Sequence, residues 1–248
     1  MLHYTAAGKG KTVVLLHGFC ENNTCFDKQV LLLKAHCKII TPDLPGAGQS
    51  TVQTNTTMER MADAVYELLV DLGEHDVVMI GHSMGGYVTL AFAEKYGHML
   101  SSIGLLHSTA KSDTEERKLK RDQAKRLITE KGASFYARNF IPPLFRPNTP
   151  QDLITPYINV TDDLTSEGLS EALMAMKNRE DSFAFLAQTA LPIFWGIGKY
   201  DELIPQEDML KQSLLCKQSY VAYLNNSAHM GHIEEPELLA NHIMRFIS

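Results

Sequence analysis

Gly81-His-Ser-Met-Gly-Gly86 sets a serine between glycines in the pattern G-x-S-x-G. An apolar run, Asp76 to Gly81, precedes it, and a helical pattern, Tyr87 to Tyr96, follows it. A strand–turn–helix context of this kind holds a serine hydroxyl out at the end of a sheet. The glycines keep side chains away where the turn is tightest. Serine is a weak nucleophile at neutral pH. It needs a neighbouring base, a third group that orients the base, and donors for the oxyanion. With Ser83 as candidate nucleophile, the partners are expected in the order acid, then histidine, at successive strand ends.

Asp201 is the candidate acid. It lies in Gly198-Lys-Tyr-Asp-Glu-Leu-Ile-Pro205, just beyond the strand-like Leu191 to Gly196. The same residue type commonly caps a following helix, and Glu202 and Asp113 compete for the role. His229 is the candidate base, in a segment that follows Ser219 to Leu224 and precedes the helical pattern from Pro236 to Ile247. His232 competes with it. Two histidines three apart also fit metal ligation, but no third ligand has suitable spacing, so no metal and no cofactor is expected. His82 is expected to point away from Ser83 and to serve structurally. The oxyanion donors are expected to be the backbone N–H groups of Met84, after the nucleophile, and Phe19, in the turn His17-Gly18-Phe19-Cys20.

The elements that must position these groups alternate between strand and helix. Thr12 to His17 and Lys38 to Thr41 are continuous apolar runs of the kind found in buried parallel strands. Thr56 to Leu72 carries apolar residues at helical spacing, with Gly73 as a stop. Ser101 to His107 is the next strand candidate. Between about 111 and 190 the strand rhythm disappears. Ser112 to Lys131 is densely charged and reads as a solvated outer face; Thr165 to Glu180 and Ser182 to Gln188 look helical. The rhythm resumes at Leu191. Alternation of this kind implies an α/β fold with a mostly parallel sheet flanked by helices, whose ligands bind at the carboxyl ends of the strands.

These motifs resemble the α/β-hydrolase fold family over essentially the whole chain. The matching pieces are His17-Gly18-Phe19, Pro42-Asp-Leu-Pro-Gly-Ala-Gly-Gln-Ser50, the Ser83 elbow, Gly198 to Asp201, and Ala228-His229 through Glu235-Pro236. Ala228 departs from the glycine that relatives often carry there. The resemblance implies a core of 1–110 and 191–248 and a helical cap of 111–190 over the site. Asp43 and Gly46-Ala-Gly48 are expected to build a tight turn. Phe19, Phe140 and Leu144 are expected in an acyl pocket, although aromatic residues of the cap serve equally to dock it on the core.

The expected activity is hydrolysis of a small to medium, apolar carboxylic ester through an acyl-serine. Thioesterases, C–C bond hydrolases, aminopeptidases and cofactor-free perhydrolases use the same triad and stay open, as does a ligand receptor of this fold. Serine at the elbow sets the chain apart from relatives with aspartate there. The chain has 248 residues, a formal charge of −6 and four cysteines. There is no basic stripe for nucleic acid and no disulfide or zinc pattern. No apolar stretch reaches membrane-span length, and the amino-terminal residues carry no leader pattern. A cytoplasmic protein with a small-molecule substrate is expected; its oligomeric state is open. Gly10-Lys11-Thr12 mimics the end of a phosphate loop, but Thr5 stands where that motif needs glycine.

Overall fold

The apolar runs become the strands of one sheet. The computed structural model describes residues 1–159 and 163–248. Along the chain run β1 (Tyr4–Ala7), β2 (Thr12–Leu16), α1 (Asp27–Leu33), β3 (Lys38–Pro42), α2 (Met58–Asp71), β4 (Val77–His82), α3 (Met84–Tyr96) and β5 (Leu100–Leu106). Then come α4 (Glu115–Lys131), α5 (Ala133–Phe140), α6 (Gln151–Asn159), α7 (Ser166–Asn178) and α8 (Phe183–Gln188). The chain closes with β6 (Ile193–Gly198), α9 (Gln206–Ser213), β7 (Ser219–Leu224), α10 (Gly231–Glu234) and α11 (Pro236–Ile247).

Among the described residues the sheet has seven strands in the order β1-β3-β2-β4-β5-β6-β7. β1 pairs antiparallel with β3, Tyr4 opposite Pro42. The other pairings are parallel. The central strands β2 and β4 are buried at every position, as a sheet covered on both faces requires. One face packs on α2 and α3 through residues such as Met61, Val65, Leu68 and Val88. The other packs on α1 and α11 through Leu33, Leu239 and Ile243.

Helix boundaries follow local chemistry. The Thr57 hydroxyl caps α2 by accepting from Arg60 N–H, and Gly73, at φ +70°, ends it in the left-handed region. α4 is capped by Thr114 and buries only Ile128, so its charged face is solvated. Between β5 and β6 the described residues are helical, without strands. Polar contacts tie this segment to the sheet side; among them, Thr56 N–H donates to Glu171 Oε2 (2.9 Å), and Arg146 N–H donates to Glu234 Oε1 (2.8 Å).

Sequence reasoning missed β1, α1 and α9. The turn after β3 is built as expected. Asp43, 1% exposed, accepts from Asn23 N–H, from Gln49 N–H and from the His3 ring.

Candidate active site

Ser83 sits between β4 and α3 at φ 49°, ψ −113°. A non-glycine residue at positive φ costs on the order of 1–3 kcal/mol and persists only where its surroundings hold it. They do so here: Ser83 N–H donates to Leu106 O (2.9 Å), and Ser108 Oγ–H donates to Ser83 O (2.7 Å). The flanking glycines are needed because chain meets chain. A Cβ on Gly81 would lie 2.1 Å from the Gly85 backbone, and one on Gly85 would lie 2.2 Å from Leu16 O. The Ser83 side chain forms no hydrogen bond among the described residues.

Asp201 follows β6 and is buried. Its Oδ1 accepts from the N–H groups of Leu203 (3.0 Å) and Ile204 (2.9 Å). Oδ2 accepts from His229 Nδ1 (2.9 Å) and from His107 Nδ1 (3.1 Å). Asp201 therefore both caps the following turn and orients His229. Burial alone would raise its pKa. The charge of His229 and the hydrogen bonds from both histidines outweigh that, and the carboxyl is held well below the usual range. His229 is 2% exposed. With Nδ1–H given to Asp201, its Nε2 is left as the acceptor.

The competing residues go elsewhere. Asp113 is buried in an ion-pair cluster with Arg121 and Arg179. Glu202 is exposed. His232 is fully buried, its ring 5.4 Å from that of Phe26. His229 and His232 also fall into different clusters: His107–Asp201–His229 and Glu21–His82–His232 each bring three possible ligand atoms within 4.8 Å. The sequence pair is thus not a shared metal site.

The two predicted oxyanion donors stand at chain turns. Met84 N–H opens α3, and Phe19 follows β2. Neither N–H has a hydrogen-bond partner among the described residues. The Phe19 ring is covered edge-on by Tyr136 (6.2 Å) and Phe140 (5.7 Å), both on α5. His229 N–H donates to Leu144 O (2.9 Å), so the 111–190 segment also holds the loop of the candidate base. Beside it lies a cavity of about 360 Å³, whose walls include Leu144, Phe145, Arg146, Tyr200, Leu203 and His229. The predicted pocket residues thus separate: Leu144 lines this cavity, whereas Phe19 and Phe140 close on each other. Aromatic residues of the segment divide in the same way. Phe145 lines the cavity and packs against Tyr157, whereas Phe135 faces solvent.

Two residues at the site escaped the sequence. His107 follows β5 at φ 49°. Its Nδ1–H goes to Asp201, and its Nε2 accepts from Gly231 N–H (3.2 Å). Burial pushes this histidine down to about 4, so it is neutral at pH 7. A histidine at the carboxyl end of a central strand was the available signal. Glu21 is the other, an acid among apolar residues just after His17-Gly18-Phe19, and it is buried against His82.

Known proteins share this architecture. A family model described as alpha/beta hydrolase fold matches residues 11–128. A thermophilic esterase from Thermogutta terrifontis superposes with a TM-score of 0.95 at 30% identity, over 99% of this chain and 92% of that one. The sequence is 26% identical over 229 residues to 3-oxoadipate enol-lactonase 1 of Acinetobacter baylyi, covering 91% of this chain and 84% of that protein. It is also 26% identical to the uncharacterized hydrolase YugF of Bacillus subtilis, covering 99% and 92%.

Proposed function

The chain belongs to the α/β-hydrolase fold family, and from that premise we propose that it is a serine hydrolase cleaving small to medium carboxylic esters with an apolar acyl body. The observation that carries this reading is the strained Ser83 elbow after the carboxyl end of β4, with the hydrogen-bonded Asp201–His229 pair following the carboxyl ends of β6 and β7. In this mechanism His229 Nε2 takes the Ser83 proton as Oγ attacks the ester carbonyl. Asp201 keeps the imidazole in the Nδ1–H tautomer and stabilises the imidazolium that forms. The N–H groups of Phe19 and Met84 receive the oxyanion, each worth about 3–4 kcal/mol in the transition state. His229 then returns its proton to the departing alcohol. A water deprotonated by the same ring attacks the acyl-serine and releases the acid.

Residues 111–190 act as the cap in this mechanism, and the cavity of about 360 Å³, which His229 lines and Ser83 does not, offers room for the part of a small ligand next to the base. A lactone is an internal ester, so the chemistry named for the Acinetobacter relative fits the same machinery. No helix of the described residues is long and apolar enough to cross a membrane, and we place the protein in the cytoplasm with a small-molecule substrate and no cofactor.

The test is a panel of p-nitrophenyl esters of graded acyl length, with a lactone alongside, run on wild type and Ser83→Ala. The reading expects turnover of short chains, declining as the acyl group outgrows the cavity, and a loss on the order of 10⁴-fold or more in the variant at unchanged circular dichroism. Near-normal turnover by Ser83→Ala would remove the serine mechanism.

A further inference from the structure

Beside the proposed triad lies a second buried carboxylate–histidine pair that the reaction does not consume. Glu21 and His82 side chains are 5% and 2% exposed, and Glu21 Oε2 lies 2.9 Å from His82 Nδ1. The same oxygen accepts from Gly18 N–H at 2.5 Å. On the far side of the ring, His82 Nε2 donates to His229 O at 2.9 Å. The turn is moulded to the pair: a Cβ on Gly18 would lie 2.8 Å from both Glu21 Oε2 and His82 Nδ1.

The protons can be counted. A carbonyl oxygen only accepts, so His82 Nε2 carries a hydrogen. A second proton must sit between Nδ1 and Oε2, since two lone pairs at 2.9 Å would repel. Burial pulls the two groups toward neutrality, but their mutual charge and hydrogen bond reverse both shifts: Glu21 is held well below the usual range and His82 is raised. The pair is therefore imidazolium and carboxylate.

We propose that Glu21 and His82 are positioning residues that clamp the oxyanion turn and the base loop onto the nucleophile elbow. The clamp rests on the reading of Ser83, Asp201 and His229 as the triad. It joins three segments far apart in sequence, each of which brings one group to the reaction: Gly18 precedes the donor Phe19, His82 precedes Ser83, and His229 is the base. Misplacement by about 1 Å costs on the order of 10²-fold in rate.

The pair faces His17 from the end of β2, Cys20 and Cys25 from its own loop, His107 from β5, Asp201, and His229 and His232 from the segment after β7. Burial raises both thiols and lowers His17, His107 and His232, and Asp201 stays ionised. His82 is the histidine of this group that is raised, so the shared proton leaves at a higher pH than from a free imidazole, and its loss sets two acceptors against each other and opens the clamp.

Kinetics of Glu21→Ala, Glu21→Gln and His82→Asn on a p-nitrophenyl ester test this across pH 5–10, with thermal melts alongside. Glu21→Ala should lower kcat on the order of 10²-fold with KM within about threefold. Glu21→Gln should recover part of that loss, because its amide oxygen can still accept from Gly18 N–H, while a neutral His82 then has one ring proton for two acceptors. It should also lack the alkaline decline of kcat. His82→Asn keeps a donor for Glu21 but cannot reach His229 O, and should lose kcat, with KM within about threefold, while melting below wild type because a buried carboxylate loses its counter-charge. Wild-type kcat in Glu21→Ala, or an unchanged alkaline limb in Glu21→Gln, overturns the clamp. If Glu21→Ala does not fold, the Glu21→Gln pH profile decides. An active Ser83→Ala overturns triad and clamp together. An inactive Ser83→Ala beside a fully active Glu21→Ala overturns the clamp alone.

Discussion

Asp201 Oδ2 serves two histidines with different fates. His229 has its Nε2 free for chemistry, whereas His107 spends its Nε2 on Gly231 N–H. His107 is therefore a brace between β5, Asp201 and the residues after His229. Replacing it by alanine removes one donor from a buried carboxylate and strands a backbone N–H. The expected cost is about 1–3 kcal/mol, read from urea denaturation; an unchanged midpoint would deny the brace. The candidates Ser83, Asp201 and His229 were legible in the sequence because each stands at a strand end beside turn-forming residues, in the order that the resembled fold uses. His107 and Glu21 were not, since their roles depend on which strand ends meet in space. The linear text separates Glu21 from His82 and His107 from Asp201, and only the sheet order closes those gaps.

Among the elements, α3 packs tightly against the sheet. Gly85 lets its first turn touch β2, and a methyl group there would meet Leu16 O at 2.2 Å. Gly85→Ala should cost several kcal/mol or prevent folding, because a backbone contact cannot yield as a flexible side chain can. Gly97 lies past the other end of the same helix. A methyl group added there would meet nothing within 4 Å, and its φ of −54° is ordinary. Gly97→Ala should be neutral or gain about 0.4–1 kcal/mol through the unfolded chain. Paired melting curves separate the two, and equal losses would contradict the contact. The long, fully buried strands and the amphipathic α2 could be read from sequence because burial on one or both faces imposes a period. β1 is four residues with a mixed burial pattern at a sheet edge, and α1 exposes Leu31 within an unbroken apolar run, so neither shows a clean period. The helices of 111–190 were visible as a loss of strand signal. The bond from His229 N–H to Leu144 O was not, because side-chain types do not reveal a backbone contact.

At the scale of the whole molecule, the buried histidines couple the fold to pH. Burial pushes both His107 and His232 down to about 4 from an ordinary value near 6.5. Between those values the unfolded chain binds protons that the folded chain refuses, so stability rises with pH across that window and is lost on acidification. Each histidine contributes up to about 3 kcal/mol. The raised His82 acts on the other side of 6.5, where its share of stability fades as pH climbs. Urea midpoints should therefore fall steadily from pH 6.5 to 4, and a flat profile there would contradict the burial of neutral rings. The same core that refuses those protons holds Ser83, Asp201 and His229 after the carboxyl ends of β4, β6 and β7, and the central claim is that Ser83 is the nucleophile there. Reaction with a fluorophosphonate followed by peptide mass spectrometry tests it most directly. The expected result is a single adduct on Ser83, absent in Ser83→Ala and formed far more slowly in His229→Ala. An adduct on another residue, or full esterase turnover in protein that carries none, would contradict it.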